Sequence, residues 1–231
     1  MGTTKEVKEY ESEALRKSGL RYANGMIWGE FGDQVDTQGI SEKQKLTTFG
    51  IKHISFDLNG KHGAVKADLD KPLPEKFRGI FDVITNYGTI EHVGNQYVAF
   101  KNFNDSTKVG GIMIHGFPLK GFWKNHCRYY YTSEFVEKLA KICNYELIDL
   151  RTIDYGYFVG KPMIYATLRK KKEEFINFEE FEKLPIYDSG DTGRTGYYES
   201  FTHRLKRKIR FYIKKIRNAI SSKKIHQKSI V

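Results

Sequence analysis

The stretch Met26-Ile27-Trp28-Gly29-Glu30-Phe31-Gly32-Asp33-Gln34 decides the architecture. Met26 to Phe31 reads as a buried strand, and a strand that runs into a glycine-containing turn ahead of a helical pattern opens a β-α unit. The same turn limits the ligand. A dinucleotide pyrophosphate must approach bare backbone amides at a helix N-terminus, which calls for a glycine-rich fingerprint. Gly32 stands alone in this turn. A ligand with ribose hydroxyls, an adenine and an α-amino group, but no phosphate, is better served by carboxylates beside one close-approach glycine.

Outward from this turn the elements alternate. Upstream, residues 5 to 18 place Val7, Tyr10, Ala14 and Leu15 among charges, an amphipathic helix that Gly19 can end. Downstream, Thr37 to Phe49 reads as a helix ended by Gly50, and Lys52 to Phe56 as a strand stopped by Asp57, Asn59 and Gly60. Ala64 to Ala67 is a short strand, Ile80 to Thr85 a strand, Gln96 to Lys108 a helix, and Gly111 to His115 a strand after the Gly110-Gly111 break. Thr132 and Ser133 cap a helix that runs to Cys143. Glu146 to Ile153 and Pro162 to Leu168 are spaced to pair as a hairpin. Such alternation predicts a doubly wound, Rossmann-like α/β fold. Its sheet would be seven-stranded and mostly parallel, with an antiparallel hairpin at the edge and helices on both faces.

Charge divides the chain. The net charge is +11, and residues 203 to 231 hold eleven Lys and Arg with no Asp or Glu, so residues 1 to 202 balance to zero. Attraction to polyanions therefore belongs to the tail. There Leu205, Ile209, Tyr212, Ile213, Ile216 and Ile220 recur at helical spacing on a cationic helix. The pattern suits an anionic membrane surface. A nucleic-acid backbone, or docking on the domain or a second subunit, are the alternatives. No apolar run is long enough to span a bilayer, the N-terminus lacks a secretory pattern, and Cys127 and Cys143 read as packing residues. These features lead to the expectation of a cytoplasmic protein, peripheral on the inner face of the membrane. The expected division is a domain over 1–172 (its N-terminal helix within 1–20), a linker or substrate-side loop over 173–202, and a basic tail over 203–231.

Ligands of such sheets sit beyond the C-terminal strand ends, near the point where strand order reverses. Those ends carry Glu30 and Gly32, then Asp57 with Leu58, then Asp68 with Leu69, then Asn86 with Tyr87. With Glu30-Phe31-Gly32-Asp33-Gln34, Ala67-Asp68-Leu69, the run Phe81 to Val93, and Lys108 to His115 in this order, the chain resembles the class I S-adenosylmethionine-dependent methyltransferases over about Tyr22 to Leu168. It departs from them in lacking the later glycines of the first motif, at Gln34 and Asp36. The resemblance implies S-adenosylmethionine as cofactor. Glu30 and Gly32 would face its methionine part, Asp57 the ribose, Asp68 and Leu69 the adenine, and Asn86 the sulfonium neighbourhood through its backbone; Asp33, Leu58 and Tyr87 are further candidate cofactor contacts.

Methyl transfer is an in-line displacement that needs alignment and, for a hydroxyl acceptor, a base. His92, His115 and His126 are the candidate bases, and Trp123, Arg128 and Tyr129 the candidate substrate contacts. The Glu91-His92 pair is similar to the Glu-x-x-Glu-His arrangement of ubiquinone-biosynthesis O-methyltransferases, which is associated with a divalent metal. Gly88 occupies the first glutamate position here, leaving two ligands, so no metal is expected. The implied activity is O-methylation of a small-molecule or saccharide acceptor, such as a lipid-linked glycan. RNA methylation and a non-catalytic methyltransferase-like binding module are the alternatives.

Overall fold

The computed structural model describes residues 5–32, 46–123, 125–154 and 161–190. Within them the chain runs α1 (Lys5–Lys17), β1 (Ile27–Phe31), β2 (Lys52–Asp57), β3 (Val65–Lys66), β4 (Phe81–Tyr87), α2 (Gln96–Ser106), β5 (Thr107–Pro118), β6 (Tyr129–Tyr130), α3 (Ser133–Ile142), β7 (Glu146–Asp154), β8 (Pro162–Arg169), α4 (Phe178–Phe181) and β9 (Tyr187–Asp188). Seven of these strands form one sheet in the order β3-β2-β1-β4-β5-β8-β7, and β6 pairs with β9 apart from it. The Rossmann-like reading therefore stands. Most of the expected helix over 37–49 lies outside the described residues, as do Asp33 and the basic tail.

The first five strands are parallel, and β8 runs antiparallel to both β5 and β7. The expected hairpin stands at the edge of the sheet. β8 is inserted between β5 and β7, and β7 takes the edge. Insertion leaves β8 hydrogen-bonded on both sides and buried along seven of its eight residues, which its continuous apolar run Met163-Ile164-Tyr165-Ala166 requires.

One difference concerns Gly110-Gly111. They do not precede a strand but sit inside β5, where the register with β4 jumps from Phe81↔Thr107 to Val83↔Ile112. Gly110 adopts φ +86, and its N–H donates to the Lys170 carbonyl while the Lys170 N–H donates to Gly111. Lys170 is fully buried, and its ammonium donates at 2.7 Å to the carbonyls of Asn104 and Thr107. The glycines thus form a bulge clamped by a lysine rather than a break.

Side chains alternate across the sheet and feed two cores. One, on the α2–α3 side, gathers Phe31, Phe56, Ile84, Met113, Phe117 and Ile164 with Phe100, Phe103, Phe135 and Leu139. The other gathers Trp28, Val83, Ile112, Ile114 and Tyr165 under Tyr10, Ala14 and Leu15 of α1. Tyr10 donates or accepts a 2.9 Å bond with Thr167, which pins α1 to the sheet. The first core continues past residue 172. Ile176, Phe181 and Leu184 are buried in it and Tyr97 hydrogen-bonds the Ile176 carbonyl, so residues 176–184 pack on the domain.

Candidate active site

The order β3-β2-β1-β4-β5 reverses between β1 and β4, so a crevice is expected outside their C-terminal ends. Gly32 lies there at φ +84, its N–H donating to the Phe56 carbonyl at 2.8 Å. A Cβ at this position would stand 2.2 Å from Thr89 Oγ1, in the loop that leaves β4. Only glycine permits both the left-handed backbone and this approach. The register that pairs Phe31 with Phe56 sets Asp57 beside Gly32, one strand over.

Asp57 is half-buried at the rim, and one of its oxygens accepts the Asn59 N–H at 2.8 Å, fixing a tight turn. Leu58 follows with 68% of its surface exposed, the most exposed large hydrophobic residue among those described. An apolar side chain held out beside an acidic strand end is suited to lie against a planar ring. Asp68 accepts from the Asp70 N–H and pairs with Lys71 at 3.1 Å, and that ammonium lowers its pKa. Leu69 is buried in the first core, so its side chain packs and any ligand contact falls to its backbone. Glu30 differs from the reading. It is 1% exposed and bonded to His53 Nε2 at 3.1 Å, so it sits under the sheet face rather than at the open rim. His53 was not singled out because a histidine inside an alternating strand pattern gives no signal of its own.

Around β4 the side chains form a locked assembly. Asn86 is fully buried, and its carbonyl oxygen accepts the N–H groups of Thr89 and Ile90, holding the 3₁₀ turn Ile90–His92. Asn86 Nδ2 is buried with no hydrogen-bond partner among the described residues. Tyr87 donates to Glu11 of α1 at 3.0 Å, so it ties the N-terminal helix to the rim rather than standing free for a ligand. Gln96 Nε2 donates at 2.7 Å to the carbonyls of Ile90 and Val93, and Tyr131 donates to Gln96 Oε1. The turn carrying Glu91 and His92 is therefore gripped from both ends, and the expected helix begins at Gln96.

The three candidate histidines separate. His115 lies on β5 in register with Asn86 and is 1% exposed. Its ring stacks on Phe117 at 4.9 Å and meets Phe103 at 4.6 Å. Burial drives its pKa down to about 3. The structure thus packs His115 among phenyl rings in the core, away from the open rim. His92 and His126 meet instead, with ring centroids 5.3 Å apart. Burial, then the charge of His92, lowers His126 to about 4. One ligand atom from each of Glu91, His92 and His126 lies within 4.8 Å of the others. To the two groups of the Glu91–His92 turn the fold thus adds His126, 34 residues beyond His92.

The expected substrate contacts are engaged otherwise. Trp123 is 2% exposed with its indole N–H on the Pro162 carbonyl at 2.7 Å. Tyr129 is buried and donates to the Gly94 carbonyl. Arg128 forks onto Asp188 with bonds of 2.7 to 3.1 Å and covers the Tyr129 ring. These bonds tie the segment around Trp123 to Tyr131 to β8, to β9 and to the turn ahead of α2.

No family model and no curated protein sequence matches the chain. Its fold, however, is similar to solved methyltransferase structures. One is the 1,6-didemethyltoxoflavin-N1-methyltransferase of Burkholderia thailandensis, with bound 1,6-didemethyltoxoflavin and S-adenosylhomocysteine. It is 12% identical over 72% of this chain and 81% of that one, at TM-score 0.50. A 16S rRNA (adenine(1408)-N(1))-methyltransferase from Catenulisporales acidiphilia is 10% identical over 71% and 94%, also at 0.50. Phospholethanolamine N-methyltransferase 2 of Haemonchus contortus, in complex with phosphomonomethylethanolamine and S-adenosylhomocysteine, is 13% identical over 71% and 53%, at 0.51. The chain has the Rossmann-like α/β fold that these methyltransferases share.

Proposed function

We propose that this protein is an S-adenosylmethionine-dependent methyltransferase acting on an oxygen of a small-molecule or saccharide acceptor. One observation carries the reading. At the point where strand order reverses, Gly32 turns the chain sharply against Thr89 while Asp57 stands one strand away and Leu58 projects beside it. That suits a nucleoside without phosphates, which calls for an acceptor for ribose hydroxyls and an apolar edge for adenine. The solved structures with S-adenosylhomocysteine support the same ligand.

In the reaction the acceptor oxygen attacks the methyl carbon as the C–S bond breaks, its electron pair passing to sulfur. The sulfonium becomes a neutral thioether, and the hydroxyl proton must leave. Alignment and removal of water do most of the work. The proton leaves to water beside the Glu91–His92–His126 group, since His115 is sealed in the core. The similarity to ubiquinone-biosynthesis O-methyltransferases rests on Glu91-His92 alone. The basic segment over 203–231 supports a membrane-proximal acceptor, such as a lipid-linked glycan, reached from the cytoplasmic face. The test is conversion of S-adenosylmethionine to S-adenosylhomocysteine with candidate saccharides, lipid-linked glycans and RNA. Turnover with the first two and not with RNA is expected. Turnover with RNA alone would replace the acceptor, and binding without turnover on any acceptor would favour a methyltransferase-like binding module.

A further inference from the structure

We propose that Glu91, His92 and His126 bind a divalent first-row transition metal ion that holds the acceptor oxygen beside the methyl donor. Two imidazoles and one carboxylate are a donor set for such ions, borderline in softness, and too nitrogen-rich for magnesium or calcium. Three protein ligands also leave coordination positions open, the form of a catalytic rather than a structural site.

The geometry is that of a built site. The three ligand atoms lie within 4.8 Å of one another. Metal–ligand bonds of about 2.1 Å put ligands about 3 to 3.5 Å apart, within reach by side-chain rotation alone. Glu91 is 1% exposed, and its Oε2 is buried with no hydrogen-bond partner among the described residues. A buried carboxylate oxygen left without a donor costs on the order of 1–3 kcal/mol, more if charged, and a cation removes that cost. His92 and His126 are only half-buried, so the cluster opens on the imidazole side.

Both halves are fixed from behind, as ligand precision requires. The Glu91–His92 turn is held by Asn86 and Gln96. His126 is held through its backbone N–H, which donates to the Trp123 carbonyl and the Tyr130 hydroxyl, while its ring lies 4.8 Å from Trp123. The cluster also stands where an acceptor is needed. Thr89, two residues before Glu91, is the group that meets Gly32 at the crevice.

The ion's role in methyl transfer rests on the proposed function, whereas its binding does not. An acceptor hydroxyl on an open position becomes more acidic. Its proton passes to water, the oxygen forms the new bond to the methyl carbon, and the C–S electron pair goes to sulfur.

The experiment uses the untagged full chain, stripped by chelator and dialysed against Zn²⁺, Mn²⁺ or Co²⁺. Metal content and calorimetry are read alongside the Co²⁺ absorption spectrum, and S-adenosylhomocysteine binding is measured on the same samples. About one equivalent of metal is expected. His126→Ala should weaken binding more than about 100-fold, beyond the loss of an outer-shell partner, and abolish the Co²⁺ spectrum. Glu91→Gln should do the same, and His115→Leu should leave both unchanged. Absence of bound metal, or affinity and spectrum unaltered by His126→Ala, would overturn the inference. Loss of metal with intact S-adenosylhomocysteine binding defeats the metal site alone, and the converse defeats the donor site alone.

Discussion

The two halves of the sheet rim are built differently. At the ends of β1, β2 and β3 the side chains hang on single turns. Asp57 is braced by the Asn59 N–H, Asp68 by the Asp70 N–H, and Leu58 stands in the open. At the ends of β4 and β5, Asn86, Gln96 and Tyr131 form one buried network around the turn that carries Glu91 and His92. The rim is therefore loosely braced at one end and tightly braced at the other. It also separates stability from binding. Substitution of Asn86, Gln96 or Tyr131 should unfold the chain before it disturbs a ligand, and substitution in the other half the reverse.

The largest expected effect belongs to the tightly braced half. Burial lowers His115 from 6.5 to about 3. Between those values the unfolded chain binds a proton that the folded chain refuses. Stability is therefore fully present above pH 6.5 and is lost as pH falls toward 3, by up to about 4–5 kcal/mol. Denaturation midpoints of His115→Leu, measured across this range, should show a flatter acid slope than the parent chain. Methyl transfer at neutral pH should persist, whereas removal of a true general base would cost about 100- to 10,000-fold.

Next comes the hinge between the halves. Gly32→Ala meets Thr89 Oγ1 and a left-handed backbone, and should destabilise by about 2–4 kcal/mol in denaturant titrations. Adding Thr89→Ala should recover the clash and leave about 1–2 kcal/mol of backbone strain. Lack of recovery would mean that Thr89 is not what closes the crevice.

The smallest effect concerns the segment around Trp123 to Tyr131. The Arg128–Asp188 pair is well formed but over a third exposed on each side, so Arg128→Ala should cost less than about 1 kcal/mol of global stability. Proteolysis of the 187–190 segment should nevertheless quicken, since β6 and β9 pair across only two residues.

Why one half was legible and the other was not follows from the range of its contacts. β1, β2 and β4, the capped helix α3 and Gly32 declare themselves through local periodicity and turn chemistry, and Asp57 follows once the strand ends are known. The Thr132 cap accepts from Phe135 as its spacing implies. The insertion of β8 between β5 and β7 depends on pairing across the sheet, which no local pattern encodes. Likewise the fate of the histidines is set by tertiary neighbours. His115 is surrounded by phenyl rings from α2 and its own strand, and His126 reaches Glu91 and His92 only because Trp123 and Tyr130 fold its loop back. Trp123, Arg128 and Tyr129 read as ligand contacts because aromatic and cationic loops resemble binding surfaces; their bonds to Pro162, Asp188 and Gly94 are tertiary and carry no local signal.

Calorimetric titration of the full chain with S-adenosylmethionine and S-adenosylhomocysteine, repeated on Asp57→Ala, bears most directly on the donor site. Saturable binding of one equivalent is expected. The substitution, which removes one or two hydrogen bonds to a carboxylate, should weaken binding about 10- to 100-fold with the unfolding midpoint unchanged. Absence of heat with the parent chain, or equal affinity in Asp57→Ala, would contradict the assignment of the β1–β2 rim to the methyl donor.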